Sequence, residues 1–297
     1  MTKHLRTLNY IADVATTGSV RRTAERLNIT PSALTRKIQS FEQELGVPVF
    51  ERLPQGMRLN AAGELLIRYI RDQAADFERL KSQIADLSGV RRGHVVIACS
   101  QAFMDNVLPG EVAAYRGQFP LVTFFVQVRD HALGVAALRE FEADLALLIN
   151  PPPVPDMQVL LSGRQPLCAL MRRDHPLAGE GPLRLRDCFA YPVAMPDRSL
   201  AIRHLLDAAL AHKPQRMNMQ IESSSLEFLR NYALREHVLS FQISFGIPPE
   251  VPGLHSRPIS ERDMAPINIV LGQLRGRTLP VAAAKFVDQL SKHCLWG

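Results

Sequence analysis

The stretch that most constrains the fold is NITPSALTRKIQSFEQELG, residues 28–46. Apolar side chains recur in it at steps of four, three and four residues, at Leu34, Ile38, Phe41 and Leu45. This period predicts an α-helix with one apolar stripe facing a core. Thr30 is a candidate N-cap, and Pro31 suits the first helical turn, where a backbone N–H is not needed. The sequence therefore predicts a helix with a well-defined start.

The outer face of this helix carries small, polar and basic side chains, namely Ser32, Thr35, Arg36 and Gln39. Before it, the pattern predicts a helix over residues 5–16 that ends at Gly18, and then a short helix capped by Ser19 that runs to Leu27. A short helix, a tight turn and a second helix with small outward residues form a helix-turn-helix. Its second helix fits the major groove of DNA.

The positive charge of the chain is concentrated at its start. Residues 1–60 contain nine Lys or Arg against five acidic residues, whereas the net charge of all 297 residues is +6. A polyanion is one partner for such a region, and a solvated basic face is the alternative.

Two short strands are predicted over residues 47–52 and 57–59, around a turn at 53–56. Arg52 and Arg58 flank this turn and are placed to contact a DNA backbone, a contact that positions a protein without reading sequence. Pairing with nearby acids is the alternative for both arginines.

A long helix is predicted next, because no proline occurs between residues 61 and 88 and apolar residues alternate steps of four and three. The predicted seam, which has Gln73 as its polar position, consists of Leu66, Ile70, Phe77, Leu80, Ile84 and Leu87. Such a seam is typical of a helix that pairs with another helix. Dimerisation is one interpretation, and packing on the second domain of the same chain is the other.

The segment SVRRTAERLNITPSALTRKIQSFEQELGVPVFERLPQGMRLNAAGELL, residues 19–66, resembles the N-terminal domain of LysR-type transcriptional regulators. The resemblance implies that Ser32, Ala33, Thr35 and Arg36 touch base edges. It implies backbone contacts from Arg52 and Arg58. Two positions depart from the family pattern: Gln55 replaces a usual basic residue, and Asn60 replaces a common threonine cap. The full set expected to bind DNA is Ser19, Arg21, Thr30, Pro31, Ser32, Ala33, Thr35, Arg36, Lys37, Arg52 and Arg58.

Strand-like and helix-like segments alternate after residue 93, which predicts parallel sheets with crossover helices. The proline-rich run at 151–155 divides them into two sets, and the last strand and helix return to the first set. The expected fold class is α/β overall, with a winged helix-turn-helix over 1–60, a linker and dimerisation helix over 61–89, and a two-lobed effector domain over 90–297. Lobe I is expected over 90–162 and 266–297, and lobe II over 163–265. This part resembles, more loosely, the family's effector domain, built like a periplasmic solute-binding protein, with DHPLA at 174–178 as a shared turn.

A cleft between two such lobes suits a small, especially anionic, ligand, because strand ends and helix N-termini face it. The residues expected to bind an effector there are Ser100, Gln101, Val128, Arg129, Ser199, Leu200, Ser223 and Ser224. Ser224 with Glu227 also reads as a capping box, so capping alone is an alternative for it. Arg129 and Arg198 either bind an anionic group or pair with acids such as Asp130.

Enzyme motifs such as GxSxG, GxxxxGK[ST] and HExxH do not occur, and the nine histidines show no ligand spacing. Cys99, Cys168, Cys188 and Cys294 are scattered, which favours reduced core thiols over a metal site or disulfides. We expect no cofactor, no metal and no catalytic residue. An apolar run of transmembrane length and a secretion signal are also missing, so a cytoplasmic protein without membrane association is expected.

The predicted function is a DNA-binding transcriptional regulator controlled by a small-molecule effector. Its expected partners are double-stranded DNA, an effector of anionic type, RNA polymerase, and copies of itself in a homodimer or homotetramer. A solute-binding module without a transcriptional role is the alternative.

Overall fold

The computed structural model describes residues 3–53, 56–87, 92–130, 132–153, 155–211, 217–292 and 296. Its contacts divide the chain into two compact units, Met1–Glu78 and Arg79–Gly297. The helices are α1 Lys3–Thr17, α2 Val20–Arg26, α3 Pro31–Leu45, α4 Ala61–Leu87, α5 Val107–Gln118, α6 Ala132–Arg139, α7 Leu185–Cys188, α8 Ala201–Leu210, α9 Leu226–Ala233 and α10 Val281–Leu290. Among the residues described, none of these helices is long and apolar enough to span a membrane.

The strands are β1 Phe50–Leu53, β2 Gly56–Leu59, β3 Gly93–Cys99, β4 Val122–Val128, β5 Leu145–Ile149, β6 Met157–Gln165, β7 Leu167–Arg172, β8 Val193–Pro196, β9 Met219–Ser223, β10 Ser240–Ile243, β11 Leu254–Pro258 and β12 Ile267–Leu274. Two short 3₁₀ turns, Gln101–Phe103 and Ser244–Gly246, follow β3 and β10.

The first unit is a three-helix core with a β-hairpin. The apolar stripe of α3 is buried as predicted at Leu34, Ile38 and Phe41 and packs with residues of α1 and α2. Leu45 does not join it, because it lies in the last turn of α3 and is 45% exposed, just before the chain turns away at Gly46. The predicted cap is present, since the Thr30 hydroxyl accepts a hydrogen bond from the Ala33 amide at 3.2 Å.

The hairpin pairs β1 with β2, with Phe50 opposite Leu59. It begins three residues later than the sequence predicts, and Val47 is 46% exposed. Gly56 has a φ of 140°, and a Cβ at this position would lie 2.4 Å from the Gly18 carbonyl oxygen. The hairpin therefore packs against the end of α1 through a position that only glycine fits. Gln55, a departure from the family pattern, lies outside the described residues.

The seam predicted along α4 has two environments. Leu66 is partly buried and Ile70 is buried, and both pack on the core of the first unit, so for these two residues the expectation of a partner-facing seam was wrong. Phe77, Leu80 and Ile84 are exposed by 60%, 49% and 55%. The side chain of Leu87 lies outside the described part. Asn60 caps the helix as expected, because its side-chain oxygen accepts from the Gly63 amide at 2.9 Å.

The second unit contains two lobes, and lobe I is built on a five-stranded sheet in the order β4-β3-β5-β12-β6. β3 pairs in parallel with β4 and β5, as the alternation of strands and helices predicts, whereas β12 is antiparallel to both neighbours. β6 was not predicted. It pairs with β12 up to Gln165, so lobe I extends three residues beyond the expected boundary at 162.

Lobe II has a three-stranded sheet in the order β10-β7-β11, which is antiparallel, and a parallel pair of β8 and β9. The expectation of parallel strands was therefore wrong for β7, β10 and β11. The physical reason is the direction of the chain. β7 runs away from lobe I, and β10 and β11 lie on either side of it and run the opposite way. One continuous apolar core includes residues of both lobes.

Candidate nucleic-acid interface and interlobe cleft

The N-terminal half of α3 presents its polar side chains to solvent. The Thr35 hydroxyl donates to the Pro31 carbonyl at 2.9 Å, and the Ser32 and Thr30 hydroxyls are 3.2 Å apart. Ser32 and Arg36 are exposed, and Ala33 is partly exposed beside them. Local hydrogen bonds thus hold the short side chains in place, while the Arg36 guanidinium extends from the same surface.

A groove lies between α3 and the hairpin. It has a volume of about 520 Å³, and Ser19, Thr35, Gln39, Arg52 and Gly56 are among its lining residues. Ser19 also caps α2, since its hydroxyl accepts from the Arg22 amide at 3.4 Å. The predicted residues Ser19, Thr35 and Arg52 are therefore on one surface. Gln39, which the sequence already places on the outer face of α3, also lines the groove, although it is not in the predicted DNA-binding set.

The basic side chains of this unit have different surroundings. Arg58 pairs with Glu51 at 2.8 Å, so for Arg58 the alternative of an acidic partner is realised. Arg21 pairs with Glu25 at 3.2 Å. Both arginine side chains remain 69% and 84% exposed, and exposed pairs of this kind contribute little. Lys37 is turned towards the protein, with its ammonium 5.7 Å from the centre of the Tyr10 ring.

At the edge of the lobe I sheet, the ends of β3 and β4 lie together. The Ser100 hydroxyl donates to Asp130 at 2.6 Å and accepts from the Ile149 amide at 3.2 Å. The Arg129 amide donates to the Cys99 carbonyl at 2.9 Å. Ser100 is fully buried, so its predicted role as a direct ligand contact is wrong in this structure: the hydroxyl instead ties three chain segments together.

A matching edge in lobe II is formed by the ends of β8 and β9. The Asp197 amide donates to the Ser223 carbonyl at 3.0 Å, and the Ser199 hydroxyl donates to the Asp197 carboxylate at 2.5 Å. Leu200, another predicted ligand contact, is 3% exposed and points into the core. Only the serines of this edge remain accessible among the predicted residues.

The serine run before α9 differs from the predicted capping box. Ser225, not Ser224, is the N-cap, and its hydroxyl accepts from the Phe228 amide at 3.1 Å. The Ser223 hydroxyl accepts from the Ser225 amide at 3.1 Å, and Ser224 is exposed. The chain turns one residue later than the motif suggests, which leaves Ser224 without the capping role.

The two lobes touch through contacts that the sequence did not indicate. The Gln101 side-chain oxygen accepts from the Leu226 amide at 2.7 Å, at the start of α9. Arg230 of α9 pairs with Asp105 at 2.7 Å, and the Arg230 side chain is 8% exposed. The rings of Phe103 and Phe245 stack with their centres 4.4 Å apart. Val128 and Arg129 lie on the lobe I edge and are at least partly exposed. Some of the predicted cleft residues are therefore on the lobe I edge and the others on the lobe II edge, and these contacts join the two edges.

The described cysteines are buried and free. Burial raises the pKa of the Cys99 thiol to about 12, that of Cys188 to about 12 and that of Cys168 to about 11. In the described ranges, no group of three or more His, Cys, Asp or Glu side chains is placed to hold a metal ion. Cys294 lies outside these ranges.

Comparison with known proteins matches both parts of the chain. Residues 5–64 match the bacterial regulatory helix-turn-helix family of LysR type, and residues 88–295 match the LysR substrate binding domain. A probable RuBisCO transcriptional regulator of a Synechocystis strain is 24% identical, covering 96% of this chain and 86% of that protein.

Two full-length structures show the same fold. A cysteine variant of full-length OxyR from Pseudomonas aeruginosa has a TM-score of 0.76 at 19% identity, covering 100% of this chain and 96% of that one. CbnR in complex with its target DNA has a TM-score of 0.69 at 17% identity, covering 97% and 99%. Together with the two family matches, which extend over most of the chain, these likenesses lead to one conclusion: the protein belongs to the LysR family and is a transcriptional regulator with a helix-turn-helix DNA-binding domain and an effector-binding domain.

Proposed function

We propose that this regulator reads DNA through the exposed N-terminal half of α3, with the hairpin beside it on the phosphate backbone. The observation that carries the proposal is the common surface of α3, the α2 cap and the hairpin, where Ser32 and Arg36 are exposed next to a groove that includes Arg52. A bidentate arginine contact to a guanine edge is a common specific contact in the major groove. The proposed interface is completed by Ser19, Arg21, Thr30, Pro31, Ala33, Thr35, Lys37 and Arg58, of which Lys37 is partly buried beside the Tyr10 ring.

The proposed domain organisation follows from the same elements. Residues 1–60 bind DNA, residues 61–89 link and dimerise, and residues 90–297 bind the effector, with the lobe boundary moved to 165. The exposed Phe77, Leu80 and Ile84 support pairing of α4 with a second copy. A homodimer places two reading helices on successive turns of DNA, and two dimers form a tetramer. Recruitment of RNA polymerase and a cytoplasmic location follow from the role as a regulator of transcription.

We also propose that an anionic effector binds between the lobe edges, where Gln101, Val128, Arg129, Ser199, Ser223 and Ser224 lie. Ser100 and Leu200 support these residues from inside the protein. An effector controls the regulator only if it binds one arrangement better than the other. We propose that it changes the angle between the DNA-binding units of the assembly, and that it is bound without being chemically converted.

The test begins with genomic fragments retained by the purified protein at physiological salt, where non-specific phosphate binding is weakened. Enrichment of interrupted inverted repeats upstream of genes is the expected result. Uniform, salt-sensitive retention would instead favour a solute-binding module with a basic domain.

The residue-level test compares Arg36→Ala with Arg58→Ala on one enriched site and on scrambled DNA. Loss of a base contact at Arg36 should weaken binding to the site by about 1–3 kcal/mol and relax its sequence preference. Arg58→Ala, which removes a backbone contact, should weaken binding to both DNAs alike. Equal loss on both DNAs for Arg36→Ala would reassign Arg36 to phosphate binding. Fluorescence anisotropy titrations measure the affinity of each variant for the enriched site and for the scrambled DNA.

A further inference from the structure

Lobe II contains a cavity outside the interlobe cleft, beneath the connection between β10 and β11. Both strands are antiparallel to β7 and lie on either side of it, so this connection crosses one face of the sheet. Crossovers between parallel strands usually contain a helix that fills such a face. Here residues 244–253 form only a short 3₁₀ turn followed by IPPEVPG. Proline lacks the N–H that a helix interior requires, so the crossover stays irregular.

An open-sided cavity of about 670 Å³ lies against this crossover. Its apolar lining is formed by Ile247, Val251 and Leu254 together with the three prolines at 248, 249 and 252. The Ser244 and Ser256 side chains also line it. Its volume is within the range of small-molecule sites, which combine an apolar wall with a few polar groups.

The sheet face under the crossover contains a polar atom without a partner. Cys168 of β7 lines the cavity and lies directly opposite Gln242 of β10, so both side chains are on the same face. The Gln242 side-chain nitrogen donates to the Gly246 carbonyl at 2.8 Å, towards the crossover. Its side-chain oxygen is buried and accepts no hydrogen bond in the described part of the chain. This buried acceptor lies on the same sheet face as Cys168, and Gln242 itself is not among the residues that line the cavity.

Two opposite charges line the same cavity without pairing with each other. Arg173 is exposed, and among the described residues its side chain makes one hydrogen bond, from Nε to the Leu254 carbonyl at 3.4 Å, so its two terminal nitrogens can bind an anion. Glu250 lies on the crossover and is exposed. Within the described residues, neither side chain has an ion pair. The cavity therefore offers one cation and one anion beside an apolar wall.

We propose that this cavity binds an α-amino acid with an apolar side chain. The carboxylate binds the Arg173 guanidinium, since arginine presents paired donors that match a carboxylate. The ammonium is directed to the Glu250 carboxylate. The apolar side chain packs against Ile247 and Val251. The site shares no lining residue with the proposed effector contacts of the interlobe cleft, so it is a second ligand site on the same domain.

The test is calorimetric titration of the full-length protein with L-leucine and L-phenylalanine. We expect saturable binding with one site per chain. Arg173→Gln and Glu250→Gln should each weaken it by about tenfold or more, because each removes a charged hydrogen-bond partner. Arg262→Gln, a change at an exposed arginine outside the cavity, is the matched control and should leave binding unchanged. Ser256→Trp places a bulky ring at an exposed lining position and should abolish binding while thermal unfolding is unchanged.

Two ligands that each lack one charged group test whether the site needs both the ammonium and the carboxylate of the amino acid. 4-Methylpentanoate lacks the ammonium and 3-methylbutylamine lacks the carboxylate, so both should bind more weakly than L-leucine. Equal binding of 4-methylpentanoate would overturn the amino-acid assignment. If neither L-leucine nor L-phenylalanine gives a binding heat, the site itself is overturned. Binding that survives Arg173→Gln and Glu250→Gln but is lost in Ser224→Trp would place the ligand in the interlobe cleft and overturn the proposal. These results are independent of DNA retention, which tests the regulatory function.

Discussion

At the scale of single residues, Gly63 is a position where one close contact reverses the usual stabilising effect of replacing glycine by alanine in a helix. It lies in the first turn of α4, where alanine would ordinarily favour the helix by about 1 kcal/mol. A Cβ on Gly63 would lie 2.1 Å from the Val49 carbonyl oxygen, a backbone atom that cannot move away easily. Gly110 in α5 has open space around the same position. We therefore expect Gly63→Ala to lower the thermal unfolding temperature and Gly110→Ala to raise it. Equal stabilisation by both changes would contradict the close packing of α4 on the Val49 backbone.

The buried thiols give a second residue-scale prediction. Burial is the main reason why the pKa of Cys99 is raised, and the nearby Asp130 carboxylate adds to it. Because only the thiolate is a good nucleophile, a pKa of about 11 to 12 keeps Cys99, Cys168 and Cys188 unreactive at pH 8. Iodoacetamide should leave their peptides unmodified in the native protein and label them in urea, as measured by mass spectrometry. Rapid labelling of native Cys99 would show that the β3 end opens readily.

At the scale of elements, α4 has one end in a core and the other with an exposed apolar stripe. Replacing Phe77 and Leu80 by aspartate should convert the assembly to monomers, because buried charges oppose a helix pair. Leu65→Asp is the matched control: Leu65 is 66% exposed on the same helix but lies off the seam. Sedimentation velocity measures all three proteins. An unchanged dimer in the double variant would refute the seam, and dissociation by Leu65→Asp would move the interface to the other face of α4.

The helices and strands that were predicted well are those whose ends are set by residues close together in the sequence. Thr30, Pro31 and Gly46 set the bounds of α3 through local capping, so a single stretch contains the information. β6 was missed because its edge position leaves half its residues polar and its partner β12 lies about a hundred residues later. The same limit applies to the site. The 2.7 Å pair of Arg230 and Asp105 joins positions 125 residues apart, and no local pattern announces it.

For the candidate effector site, the sequence predicted where residues lie in the fold better than it predicted what their side chains contact. Ser100 does follow β3 at the expected sheet edge, but it is fully buried and its hydroxyl bonds to Asp130 and to the Ile149 amide. Leu200 likewise lies at the start of α8, as its N-cap residue, and is buried. A sequence shows where a strand ends, whereas the burial of the next side chain depends on the segments that pack over it.

At the scale of the whole molecule, each unit has its own buried apolar cluster. Ile11, Leu34 and Phe41 belong to the first, and the clusters of the lobes share no residue with it. Chains with separate cores commonly depart from a single two-state transition. We expect two transitions in calorimetric unfolding of the full-length protein, and changes confined to one core should shift one of them.

Arg230→Gln and Gly63→Ala assign these transitions. Arg230→Gln leaves the Asp105 carboxylate, 25% exposed in the native pair, without its cation and should destabilise the lobes by about 2 kcal/mol. Gly63→Ala should shift only the other transition, since Val49 belongs to the first core. The double variant should then show both shifts at their single-variant sizes, because the changes have no shared neighbours. One merged transition that moves with either change would show that the two cores unfold as a single cooperative unit.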